Sequence, residues 1–135
     1  MKTTDHAGYA VITDFDGFAN PVRVTDSLGN TLQSATYNVR GMKTAMTDMD
    51  MGSWAYEYTS LGELLRTRDA KTTAPAWTTV ATYDALGRMV TRQDVSEGVT
   101  STWTWGTDGA TAKNVGRLAS LTTSDSSYAE SYTYN

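Results

Sequence analysis

At 135 residues, with 39% hydrophobic residues and a formal net charge of -4, the chain has the length and composition of one domain able to bury a core. Its basic residues form no stripe, which sets nucleic acid aside as a partner, and no apolar run reaches the length of a membrane helix or a signal block. The absence of cysteine removes disulfides, thiolate metal sites and cysteine nucleophiles, and the single histidine, His6, sits too near the start to anchor a Ser-His-Asp arrangement.

The compositional signal is 24 threonines with 8 Tyr and 4 Trp against 2 Pro. Threonine and aromatic rings fit the pleated surface of a sheet, and 11 glycines supply turns, so the chain is read as all-β. The first element is Val11–Phe15, running into Asp16-Gly17-Phe18-Ala19. Asp14-Phe15-Asp16-Gly17 looks like the nucleophile loop of a phosphoryl-transfer enzyme. That chemistry also asks for helix–strand alternation and further acids on Mg²⁺, and the chain has no such alternation, so the stretch is read as a strand and a turn.

The same unit then recurs along the chain. Phe15-Asp16 is followed by Tyr37-Asn38-Val39-Arg40-Gly41, Tyr58-Thr59-Ser60-Leu61-Gly62 and Tyr83-Asp84-Ala85-Leu86-Gly87, with markers 22, 21 and 25 residues apart. Trp105 and Tyr134 continue the series, and Gly116-Arg117-Leu118 resumes the pattern of Gly87-Arg88-Met89. Seven residues after Ala19, Gly41, Gly62 and Gly87 stand Asp26, Asp48, Asp69 and Asp94. Each unit is therefore strand, ring-plus-turn, strand, Asp turn, and the product is a run of antiparallel hairpins.

Two insertions interrupt the run: the loop at 71–76, which contains Pro75, and the stretch between Trp105 and Gly116. Asp48-Met49-Asp50 mimics the opening of a calcium loop, but Thr59 stands where the closing acid belongs, so no metal site is assigned. Trp54 and Tyr56 share a strand face with Tyr58, as do Trp103 with Trp105 and Tyr132 with Tyr134. These rings either form a packed ladder between stacked hairpins or, exposed, contact sugar rings in a carbohydrate-binding or adhesion module. Their recurrence at the repeat period favours the structural seam.

The stretch Ala81–Asp94, ATYDALGRMVTRQD, resembles the Tyr-Asp-x-x-Gly-Arg signature of the RHS or YD-repeat family. The resemblance runs from about Phe15 to Asn135, with Phe15, Ala19 and Thr59 as variant positions. It implies antiparallel β-hairpin repeats forming a curved ribbon or partial shell, about five units of a longer array. In bacterial polymorphic and insecticidal toxins such a shell encloses a toxic C-terminal segment; in teneurins it belongs to an adhesion ectodomain. The expected partners are further repeats of the same polypeptide, a C-terminal effector segment, or a second copy of this chain paired through edge strands. The resemblance implies a secreted or cell-surface protein. No catalytic residue, cofactor or enzymatic role is expected.

Overall fold

The computed structural model describes residues 1–4 and 8–135, and His6 lies outside the described residues. Twelve strands form one open antiparallel sheet in chain order, and no helix occurs among the described residues. The all-β expectation holds. The strands are β1 (Lys2–Thr4), β2 (Ala10–Phe15), β3 (Pro21–Asp26), β4 (Thr31–Tyr37), β5 (Lys43–Asp48) and β6 (Gly52–Tyr58). They continue as β7 (Leu64–Arg68), β8 (Thr79–Tyr83), β9 (Met89–Asp94), β10 (Val99–Trp105), β11 (Leu118–Thr123) and β12 (Ala129–Ser131). The chain divides into two compact units, Met1–Glu57 with Thr67–Ala76 and Tyr58–Arg66 with Trp77–Asn135.

A recurrent five-residue turn builds the hairpins. In Asp84–Arg88 the first residue's N–H donates to the fifth residue's carbonyl at 2.9 Å, and the fourth residue's N–H returns to the first carbonyl at 3.0 Å. The Asp84 carboxylate also accepts the N–H groups of Leu86 and Arg88. Asp16–Asn20, Asn38–Met42 and Thr59–Glu63 repeat this pair of backbone bonds. So does Asp26–Asn30, which the sequence assigns to the other turn type because Thr25 stands in the ring position. The fourth residue takes a positive φ each time, 74° at Gly87 and 64° at Ala19, the conformation that favours glycine.

Each such turn with a resolved register is followed by a bulge at the same place. Thr82 pairs with Thr91 but Tyr83 pairs with Met89, so Val90 is one residue too many for its partner strand. Val22, Leu32, Thr44 and Ala119 are the equivalent extra residues in β3, β4, β5 and β11. Plain Asp turns show no such shift: Asp48 faces Gly52 and Asp94 faces Val99 in unbroken ladders. A five-residue turn puts unequal lengths on its two sides, and the bulge takes up the surplus residue.

Strand alternation sorts side chains between the two faces. In the second unit, Thr82, Thr91, Thr102 and Thr122 oppose one another across β8 to β11, and the hydroxyls of Thr82 and Thr91 are 2.6 Å apart. Trp103 and Trp105 alternate with Thr102 and Thr104 and lie on the opposite face. In the first unit, Asp14 and Arg23 face each other and form an ion pair at 2.7 Å.

The length allows a core, yet the hydrophobic side chains that are buried among the described residues are only Ala10, Ala35 and Ala81. A single sheet has no second layer opposite its faces, so its large side chains stay half-buried. Cohesion must then come from the backbone ladder and from contacts between neighbouring hairpins.

Candidate functional site: a ring latch between successive turns

The rings that mark the repeat sit at or just beyond the ends of alternate strands, each on the strand beside the one that leaves the preceding five-residue turn. For Tyr37, Trp105 and Tyr134 this is beside the bulge of β3, β9 and β11. A bulge takes backbone groups out of the ladder, and such groups need another partner. The ring tip supplies it. Tyr37 Oη donates to the Pro21 carbonyl at 3.0 Å, Tyr83 Oη to Leu64 at 2.7 Å, Trp105 Nε1 to Met89 at 2.8 Å and Tyr134 Oη to Leu118 at 2.7 Å. All four acceptors are the residue that directly follows the preceding turn.

The last residue of that turn adds a second contact. The Arg88 guanidinium lies 4.8 Å from the centre of the Trp105 ring, and Arg117 lies 4.8 Å from that of Tyr134. An arginine over a ring at such a surface is worth about 0.5–1 kcal/mol, and the tip hydrogen bond about as much again. The Gly-Arg pair of the repeat thus has two jobs: glycine closes its own turn, and arginine covers the next ring. Arg88 does this while its Nε bonds the Asp84 carboxylate at 2.7 Å.

Within the turns, the first and fifth side chains match chemically. Asp16 takes the Asn20 side-chain amide at 2.9 Å, and Asp26 takes that of Asn30 at 2.7 Å. Where threonine replaces aspartate, Thr59 donates to the carboxylate of Glu63. Asn38 faces Met42 and bonds only its backbone N–H, at 3.1 Å. The Asp16, Asp26 and Asp84 carboxyls are held below the ordinary carboxylate range by such bonds. The leading cause is the side chain of Asn20 for Asp16, of Asn30 for Asp26 and of Arg88 for Asp84. The correlated pair was visible in the sequence, although turn spacing alone does not single it out.

Gly41, Gly62 and Gly87 close their turns with positive φ. Gly116 does so in the expanded turn, where Gly106 donates to the Arg117 carbonyl and Gly116 donates back to Gly106. Gly106 therefore takes the first position, normally Asp. Asn114 packs where a side chain on Gly106 would lie, with atoms 2.2–2.4 Å from the position of a Cβ. The Asp108 carboxylate organises the inserted loop by accepting the N–H groups of Ala110, Thr111 and Ala112.

The remaining ring positions differ among themselves. Phe15 ends β2 without a polar tip and is 47% exposed. Tyr58 ends β6 beside the Thr59 turn. Trp54 faces Met46 across the ladder and donates from Nε1 to the Met51 carbonyl of its own turn. Burial pushes the Tyr56 phenol up, as it does that of Tyr83 with a smaller contribution from Glu63. Trp103 faces Leu121, and Tyr132, exposed beyond β12, donates to Glu130, which raises its phenol to about 12. Asp48 accepts the N–H groups of Asp50 and Met51. Among the described residues, no three His, Cys, Asp or Glu side chains cluster as a metal site.

No protein-family model and no curated protein matches the chain. Solved structures do. The chain is similar to one in "Structure of Photorhabdus luminescens Tc holotoxin pore", at 18% identity and TM-score 0.57, over 89% of this chain and 6% of that one. It is similar to a chain of the crystal structure of TcdB2-TccC3-TEV at 17% identity and TM-score 0.57, over 86% and 5%. A chain of TcdB2-TccC3-Cdc42 matches at 19% identity and TM-score 0.53, over 85% and 5%. The chain thus spans about a twentieth of the length of these chains, and what it shares with these parts of Tc toxin structures is the β fold.

Proposed function

We propose that this chain is a wall segment of an RHS/YD-type β-shell that encloses or presents a toxin or effector polypeptide. The observation that carries the proposal is the ring latch. Tyr37, Tyr83, Trp105 and Tyr134 are each held by the turn before them, so cohesion passes between neighbouring hairpins and needs no central core. A structure built this way extends by adding units, as a wall does. The likeness to chains of Tc toxin structures supports the same role, with further repeats of the same polypeptide and a C-terminal effector segment as partners. The role is structural and needs no catalytic group, and it places the protein outside the cell or at its surface. Of the rings that the glycan-binding alternative would use, Trp105 and Tyr134 have their faces covered by Arg88 and Arg117 and their polar tips spent on backbone carbonyls, which disfavours it.

Limited proteolysis of the full array encoded by the parent reading frame tests the proposal. An effector segment inside a wall resists protease until the latch rings are replaced by alanine, while the same segment expressed alone is digested at once. Equal digestion rates with and without the array would sink the proposal. Saturable glycan binding lost in Trp103→Ala would establish the alternative.

A further inference from the structure

The five-residue turns carry an unexplained apolar residue at their tips. In the second unit the tips on one edge are Leu61, Leu86 and Val115, exposed by 76%, 77% and 62%. No tip side chain is needed by the turn, which takes from Leu86 only its backbone N–H. Between the Thr59 turn and the start of the Asp84 turn lies a recess of about 280 Å³, walled by Leu61, Leu65, Ala81 and Tyr83 with Glu63 and Asp84 at hand. That is at the small end of the roughly 300–1,000 Å³ of ligand sites, and its apolar walls have room for an aliphatic side chain. The first unit shows the same device by itself. Phe18 is 86% exposed, and a recess of about 300 Å³ lies between its turn and Asn38–Gly41.

We propose that this turn edge is a self-docking surface, on which an aliphatic turn tip of one copy seats in the inter-turn recess of a second copy. Two properties select a second copy as the occupant. In the second unit the aliphatic tips and the recess lie on the same edge, so a second copy presents a knob to the recess and a recess to the knob. Charge agrees. In the second unit this edge carries Glu63, Asp84 and Asp108 against Arg88, Lys113 and Arg117, three acids to three bases. The opposite edge carries Asp94, Glu97 and Asp125 with no base in its turns. Two copies meeting through the first edge can set acids against bases; through the second they place like charges together. The contact area of a few tips is small, so the association is weak and concentration-dependent.

Sedimentation velocity of the 135-residue chain over a concentration series reads the association directly. Wild type shifts from monomer to dimer, and Leu86→Asp, or Leu61→Asp in the recess wall, raises the dissociation constant at least about tenfold. Val95→Asp, on the opposite edge, leaves it unchanged. Because the substituted tips are exposed, unchanged urea midpoints certify that the variants fold. A chain that stays monomeric to its solubility limit overturns the proposal, as does a Leu86→Asp variant that associates like wild type. Equal weakening by Val95→Asp does the same. The protease-protection test concerns an enclosed segment, so either proposal can fail without the other.

Discussion

The hairpins closed by Asp84–Arg88 and by Gly106–Arg117 share the same pair of backbone clasp bonds, yet two residues lie between their clasp positions in one and nine in the other. Both are followed by a bulge, at Val90 and at Ala119, and both hold the next ring by a carbonyl and an arginine. What differs is the first residue. Asp84 uses its carboxylate to order a short turn, whereas Gly106 gives that space to Asn114 and leaves ordering to Asp108. The comparison shows that the clasp and the positive-φ residue define the unit, while the aspartate of the signature is one of several ways to stiffen it and the arginine is an addition these two hairpins share.

The largest test of this distinction is Gly106→Ala. A methyl group there meets both the side chain and the carbonyl of Asn114, and overpacking of that kind costs about 2–3 kcal/mol, read as a lower urea midpoint. A cost under half a kcal/mol would mean that the inserted loop does not need the space. Next comes the ring of the short hairpin. Tyr83 is half-buried, so Tyr83→Ala should cost about 2 kcal/mol, below the value for a fully buried ring. Tyr83→Phe, which removes only the bond to Leu64, should cost about 1 kcal/mol. If the phenylalanine variant is as stable as wild type, the tip bond contributes nothing and the latch reduces to packing.

A smaller effect of opposite sign is expected at Ala19, which holds φ at 64° where the other turns have glycine. Ala19→Gly relieves that strain and should raise stability by about 0.5–1 kcal/mol, after the greater chain entropy of glycine is deducted. Thermal melts that show no rise would place the strain elsewhere.

The smallest effect at neutral pH is electrostatic. The carboxyls of Asp16, Asp26 and Asp84 titrate below their ordinary value, so their contribution is complete above the unfolded pKa and is lost as pH falls through the lower folded value. Urea midpoints should be level near neutrality and decline below about pH 4. Asp84→Asn should flatten that decline, and an identical acid slope in the variant would remove Asp84 from the account.

The sequence carries much of this arrangement openly. Ring markers at regular spacing reveal the hairpins because strand and turn lengths repeat, and Trp105 enters the series by position despite its different ring. Asp26–Asn30 escapes because Thr25 replaces the ring, although the Asp-to-Asn pairing it shares with Asp16–Asn20 is a readable sign of the same turn. The bulges at Val22, Thr44, Val90 and Ala119 have no residue type in common that would announce them. They follow from turn geometry, and the ring-to-carbonyl bonds follow from the bulges. The missing core was hidden for another reason: composition reports how much apolar surface a chain has, not whether a second layer meets it.

The expanded turn has an evolutionary consequence. Because the clasp bonds span Gly106 and Gly116–Arg117, whatever lies between them is invisible to strand register on either side. Going from two to nine intervening residues costs only about 1.3 kcal/mol of loop-closure entropy. Each such turn is therefore a socket open to new sequence. A lineage can graft recognition loops there one at a time, and the hairpins on either side need not be redesigned to receive them.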